Sequence, residues 1–404
     1  MKSFSFFRAV VAAAYISLPC SAVAQGSEAL TTARIDSILR PRIIAGEFSG
    51  VARVARNGKV IYERAAGIAN RTLRSPMKIN TRLQIASMTK LITQIAIQQL
   101  AQSGRLLLSD TVGRWLPDYP NATVRSKVTI DELLHHRSGI GSFWNERFLA
   151  DHARVRTTRD YMDLFDSDSL LFSPGTSETY SNGGYVVLGA IIERITGQSY
   201  HAYVRQHIFE PAGMTATGPY DSRMRYANAA VGYTTQSIDG PMAGDRRLAG
   251  SGAPPGSAAQ PGASTPQRLL IIGPDGKQLS PEEARAAVAE RNASTSPRRP
   301  NTSFEAGVSG PAGDDFSTAD DLVRLASALT SHRLLDVDHT NAVLGSRFLQ
   351  GGEFRANGGG PGVNAELSIY PSGVVIVVLS NYDPPAATAI AQSIRNLVAP
   401  ARPQ

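Results

Sequence analysis

The chain has 404 residues, 42% hydrophobic and 19% charged, a composition that supports a folded core and excludes global disorder. Its formal charge of +7 comes mostly from scattered arginines rather than a basic stripe, so no nucleic-acid partner is expected. A single cysteine, Cys20, excludes an internal disulfide framework.

In chain order, the first signal is the apolar run from Ala9 to Leu18, which is too short to cross a bilayer. It follows Lys2 and Arg8 and precedes Ala22-Val23-Ala24, the small-x-small pattern of a signal peptidase site. Residues 1–24 therefore read as a cleaved secretory signal, and the protein as exported, periplasmic or secreted. Cleavage would remove Cys20 with Lys2 and Arg8, taking the charge from +7 to +5. The mature chain would have no thiol and no integral membrane segment.

Next comes a hairpin. Phe48 to Arg56 and Lys59 to Glu63 flank Asn57-Gly58, the strongest short turn signal. Lys90 to Ala101 carries apolar residues at helical spacing and ends near Gly104; Gly184 to Thr196 does the same and stops at Gly197. Residues from about 237 to 302 are rich in Gly, Pro, Ser and Ala and read as a solvated insertion, with one short helix after Ser280. A helix over Asp320 to Leu329 follows, capped by Ser317 or Thr318. Ala365 to Tyr370 and Val374 to Leu379 form a second hairpin about Pro371-Ser372-Gly373, and a helix from about Ala386 to Leu397 closes the chain. The Val374 strand is apolar on both faces, which places it centrally beneath helices. The fold class is therefore α/β in the α+β sense, with one antiparallel sheet built from both termini. A single domain over 25–404 divides into a sheet part (about 25–100 and 305–404), a mostly helical part (about 101–233) and the insertion.

The seven histidines form no zinc-binding array, no Gly-x-Ser-x-Gly elbow occurs, and no phosphate-binding glycine loop is present, so neither metal nor organic cofactor is expected. What remains is Ser87-Met88-Thr89-Lys90. A serine needs a base within hydrogen-bond reach, and at the first turn of a helix residues i and i+3 share a face. The helix start also aims N–H groups at developing negative charge. Ser75-Pro76-Met77-Lys78 has the same spacing but precedes no helix, and the plainer role for Ser87 is a helix cap. Tyr180-Ser181-Asn182 supplies a second element: a tyrosine able to shuttle protons and an amide able to orient a carbonyl or a lysine. Tyr226-Ala227-Asn228 repeats that spacing outside a comparable turn.

Ser87-x-x-Lys90 followed by Tyr180-x-Asn182 resembles the serine β-lactamase and penicillin-binding-protein superfamily, in its class C-like branch with D-amino peptidases and family VIII-type esterases. Glu132 to Gly139, Pro174 to Gly189, Ile208 to Met214 and Gly358 to Gly362 extend the likeness over about Ile35 to Leu397. The resemblance implies a β-lactamase-like five-stranded antiparallel sheet flanked by helices, a helical subdomain and a cleft between them. It implies Ser87 as acylated nucleophile, Lys90 as its base partner, Tyr180 as general acid/base and Asn182 as a carbonyl-binding amide. Asn357, Gly358 and Gly359 would border the substrate, with the Ser87 and Gly359 N–H groups forming the oxyanion hole.

The third motif departs from that pattern. Arg355-Ala356-Asn357-Gly358-Gly359 has Ala356 where a lysine or histidine is expected, and strand alternation turns Arg355 to the opposite face. The expected function is an exported serine hydrolase acting through an acyl-serine on small-molecule or peptidoglycan-derived esters or amides. Esterase or D-amino peptidase activity is expected over efficient β-lactam turnover. The alternative is a catalytically weak protein of the same fold that binds cell-wall fragments, for which Ala356 is the sole mark.

Overall fold

Asn57 and Gly58 close the first hairpin with both residues at positive φ, 50° and 77°, the twist that a two-residue turn between right-handed strands requires. The strands it joins are β1 (Gly50–Arg56) and β2 (Lys59–Ala66). From the other end of the chain come β3 (Phe354–Gly360), β4 (Val363–Ile369) and β5 (Val374–Ser380). In the computed structural model, which describes residues 20–224, 226–236 and 298–398, they form one five-stranded sheet in the order β2-β1-β5-β4-β3. Every pairing is antiparallel, so both chain ends build a single sheet with β5 at its centre.

Every residue of β5 is buried, as expected from its two-sided apolar pattern. Val375, Val377 and Leu379 face one core, Val374, Ile376 and Val378 the other. Each such aliphatic side chain contributes about 1.5–3 kcal/mol by leaving water. The second core is covered by α1 (Cys20–Ile44), through Ile35 and Leu39, and by a C-terminal helix over Thr388–Val398, through Ile390, Ala391 and Ile394. The helix α1 was not foreseen as an element, and it includes the last residues of the segment read as a signal. Residues 1–19 of that segment lie outside the described residues.

The first core is filled by α2 (Thr89–Gln102), whose Leu91, Ile92, Ile95, Ala96, Ile97 and Leu100 are all buried. A helix apolar around most of its circumference belongs in a protein interior. It packs against α3 (Asn182–Thr196) and shares the first core with Val375, Val377 and Leu379 of β5. Next, α4 (Ala319–Thr330) is capped by the Thr318 side chain, which settles the choice between Ser317 and Thr318. Arg53, buried on β1, reaches it through Asp320 and is held by Glu63 at 2.7 Å.

The central part of the insertion, 237–297, lies outside the described residues, including its expected short helix. Its last residues belong to the folded body: Arg299–Pro300 pairs with Tyr233–Thr234, and buried Asn301 donates to Gln84 and to the Pro361 carbonyl. Among the described residues no helix is long and apolar enough to cross a membrane.

Candidate active site

Ser87 sits in a single 3-10 turn, Ala86–Met88, directly before α2. The turn is strained: Ala86 holds φ at 45°, a region that costs a non-glycine residue about 1–3 kcal/mol and persists only under external constraint. The constraint is the loop from Gly310 to Asp315. Ile85 donates its N–H to the Asp315 carbonyl (2.9 Å), Asp314 donates to the Ala86 carbonyl (3.2 Å), and Asp315 N–H reaches Thr89 Oγ1 (3.3 Å). Thr93 Oγ1 donates to the Pro311 carbonyl at 2.6 Å, one turn further along α2. Asp315 itself is buried and accepts from Ser309 at 2.7 Å.

Ser87 does not cap α2 with its side chain; that role is left unfilled. Its Oγ instead accepts from Tyr180 Oη at 2.6 Å and from Lys90 Nζ at 3.3 Å. Lys90 is buried and directs its other two N–H groups to Asn182 Oδ1, at 2.8 Å, and to the Ala312 carbonyl. Its charge also lies 4.8 Å from the centre of the Tyr180 ring. The Asn182 amide is turned by a hydrogen bond from Nδ2 to Ser142 Oγ, 3.2 Å away. Four residues separated by up to 95 positions thus form one connected polar cluster. The pair Ser75 and Lys78 shares no hydrogen bond among the described residues, and Tyr226 and Asn228 bond to Pro219 and Asn80 instead.

Tyr180 and Asn182 flank the start of α3, where Ser181 caps the helix by accepting from Gly184 N–H. His136 fixes this approach from two sides. Its carbonyl accepts from Thr179 N–H (3.0 Å) and its Nδ1 accepts from Ser181 N–H (3.2 Å). Its ring lies 4.8 Å from that of Tyr180. Burial, then the charge of Lys90, then His135 lower the His136 pKa to about 4, so Nδ1 is unprotonated at neutral pH and available as an acceptor.

The wall opposite is β3. Gly358 is buried, and a Cβ there would stand 2.0 Å from the Ile85 carbonyl oxygen, so only glycine lets the strand lie against the Ser87 turn. Ala356 pairs with Leu367, shares the face of the first core and packs against it. Arg355 pairs with Ser368 on the other face, is exposed and lies 3.6 Å from Glu353, away from Ser87. Asn357 alternates to that same outer face and shares no hydrogen bond with the Ser87 cluster; Gly359 follows at the exposed edge. Position 356 thus supplies no cation. Sequence reasoning missed His136 as a support, Ser142, and the Gly310 to Asp315 loop. The Gly-Pro-Ala-Gly run that opens this loop was its only visible signal. Among the described residues no group of three or more His, Cys, Asp or Glu side chains is placed to hold a metal ion.

A family model described as Beta-lactamase matches residues 35–399. A penicillin-binding protein of Bacillus subtilis (strain 168) is 35% identical over 193 residues, 46% of this chain and 42% of that protein. Esterase EstB of Burkholderia gladioli is 37% identical over 204 residues, 46% of this chain and 51% of that protein. The chain spans about half the length of the curated relatives it matches. A penicillin-binding protein from Bacillus halodurans superposes with a TM-score of 0.65 at 24% identity, covering 90% of this chain and 99% of that one. The D-amino acid amidase of Ochrobactrum anthropi superposes with a TM-score of 0.64 at 20% identity, covering 91% and 97%. At such identity the structural likeness speaks to the fold alone.

Proposed function

The chain belongs to the Beta-lactamase family, and from that premise we propose that it is an exported serine hydrolase that turns over small esters or activated amides through an acyl-Ser87 intermediate. The observation that carries this reading is the 2.6 Å contact between Tyr180 Oη and Ser87 Oγ, with Lys90 Nζ on the same oxygen. In the acylation step Ser87 Oγ bonds to the substrate carbonyl carbon. Tyr180 takes up the serine proton while passing its own to the departing oxygen or nitrogen, so the bond to the leaving group breaks as that atom is protonated. The N–H groups of Ser87 and Gly359, beside the positive end of α2, are the donors for the carbonyl oxygen. Water reverses the sequence: it adds to the acyl carbon, the serine oxygen regains a proton through Tyr180, and the free acid leaves.

Lys90 has all three of its N–H groups engaged. It acts as the fixed cation that holds Ser87, Asn182 and the Ala312 loop in register, and the proton moves along the shorter path. Ala356 tilts the reading from β-lactams towards esters, because this position offers no cation to anchor a substrate carboxylate. Names among the relatives, an esterase and penicillin-binding proteins, bracket the same range of substrates. The test is hydrolysis of p-nitrophenyl butyrate by wild type and Tyr180→Phe. The reading expects turnover that falls at least about a hundredfold without the phenol. Equal turnover in the two proteins contradicts it.

A further inference from the structure

Asp314 is an unusual residue to find beside a nucleophile. Its φ is 77°, a left-handed conformation that favours glycine, and its N–H is bonded to the carbonyl of Ala86, the residue before Ser87. The neighbouring Gly313 lies just as close: a Cβ there would be 3.5 Å from the Ala86 carbonyl and 3.7 Å from the Ser87 nitrogen. Asp314 is half-buried, and among the described residues no hydrogen bond or ion pair reaches its carboxylate. Lys90 is near enough to act on it electrostatically, yet the three N–H groups of Lys90 point to Ser87, Asn182 and Ala312.

Its surroundings are otherwise acidic. Glu305, which accepts from Gln84 Nε2 at 3.0 Å, and Asp315 both act on Asp314, and burial with the Glu305 charge raises its pKa to about 6. At neutral pH it is thus an ionised carboxylate that, among the described residues, accepts no hydrogen bond, while the nearby Lys90 spends its N–H groups on Ser87, Asn182 and Ala312. Position 356, on the other side of Ser87, adds no positive charge.

We propose that Asp314 is a specificity-determining residue that receives a protonated amine of the acyl group, so that the preferred substrates are amino-bearing esters or amides rather than carboxylate-bearing ones. The charge an ammonium brings is the one the cleft lacks, and a charge-assisted bond to it would satisfy the free carboxylate. The backbone bond to Ala86 holds Asp314 against the residue that precedes Ser87, so an ammonium a few bonds along the acyl chain is the group we assign to its carboxylate. A substrate carboxylate in that place would be repelled by Asp314, with Lys90 committed to Ser87, Asn182 and the Ala312 carbonyl. This inference rests on the acyl-serine reading above and sets its substrate class.

The experiment compares three methyl esters at near-neutral pH: alanine methyl ester, N-acetylalanine methyl ester and N-succinylalanine methyl ester, each as both enantiomers. On the nitrogen beside the same carbonyl they carry a positive charge, a neutral acetyl group, and an acyl group that ends in a carboxylate. Wild type should favour the free amine over the acetyl ester in kcat/KM by about tenfold to a hundredfold, with the succinyl ester slowest. In Asp314→Asn that ratio should collapse towards one, chiefly through KM. Asp314→Gly should do the same while relieving the backbone at φ 77°, which keeps the test independent of folding. A wild-type preference for the acetyl or succinyl ester, or a ratio unchanged in both variants, overturns the subsite and leaves the acyl-serine reading standing. Failure to hydrolyse any of the three, with Ser87 inert to acylating reagents, overturns both.

Discussion

Gly358→Ala adds one methyl group at the point where β3 meets the nucleophile turn. The backbone there is extended, so alanine is conformationally admissible and the effect is one of space alone. The new Cβ would stand 2.0 Å from the Ile85 carbonyl oxygen, whereas ordinary contact begins at 3.4 Å, so strand and turn must part by roughly 1.4 Å. Because β3 is an edge strand, paired with β4 alone, it can yield without dismantling the sheet, and the stability loss should stay at about 1–3 kcal/mol. Activity should suffer more. A shift of about 1 Å at reacting groups costs on the order of 100-fold, and loss of one oxyanion donor costs about 2.7–4 kcal/mol. The assay is kcat for an activated ester beside the thermal midpoint of the same preparation. A variant that melts within a few degrees of wild type but retains its kcat would refute the placing of β3 as the oxyanion wall.

Three further outcomes follow from the same geometry. Ala356→Lys or Ala356→His should raise β-lactam acylation about tenfold or more over ester cleavage, while Ala356→Met, with similar bulk and no charge, should not; equal effects of the three would deny position 356 the cation role. His136 is held neutral with its pKa at about 4, below its unfolded value of 6.5, so its stabilisation is present above pH 6.5 and is lost as pH falls towards 4. Wild type should lose up to about 3 kcal/mol over that window relative to His136→Gln, measured by urea unfolding at each pH. Deleting 237–297 and joining Gln236 to Arg298 with a short linker should leave a folded, active protein, because Arg299 already bonds to the Gln236 carbonyl at 2.6 Å; an unfolded product would show that the segment contributes to the core.

The parts of this fold that were legible in the sequence are those with local causes. The Asn57-Gly58 turn, the period of α2, the stop of α3 at Gly197 and the two-sided burial of β5 each follow from residues within one element. Strand alternation likewise sent Arg355 and Ala356 to opposite faces. The contact of Ser87 with Lys90 was readable from i to i+3 spacing, and Tyr180 and Asn182 from the family resemblance. What escaped depends on distant partners. His136 meets Ser181 across 45 positions, and the Gly310 to Asp315 loop meets the Ser87 turn across more than 220. Neither carries a periodicity or a turn signature that names its partner. The helix over Cys20–Ile44 was hidden for another reason: its first residues fall in the segment read as a signal, and Ile35 and Leu39, which it buries against the sheet, are a single i to i+4 pair.

The central claim is that Ser87 is the residue acylated. Its most direct test is intact-mass analysis after treatment with a fluorophosphonate, followed by peptide mapping of wild type, Ser87→Ala and Ser75→Ala. One adduct per chain is expected on the peptide carrying Ser87, retained in Ser75→Ala and absent from Ser87→Ala while that variant keeps its thermal midpoint. An adduct that persists in Ser87→Ala, or a wild-type chain that takes up none, would contradict it.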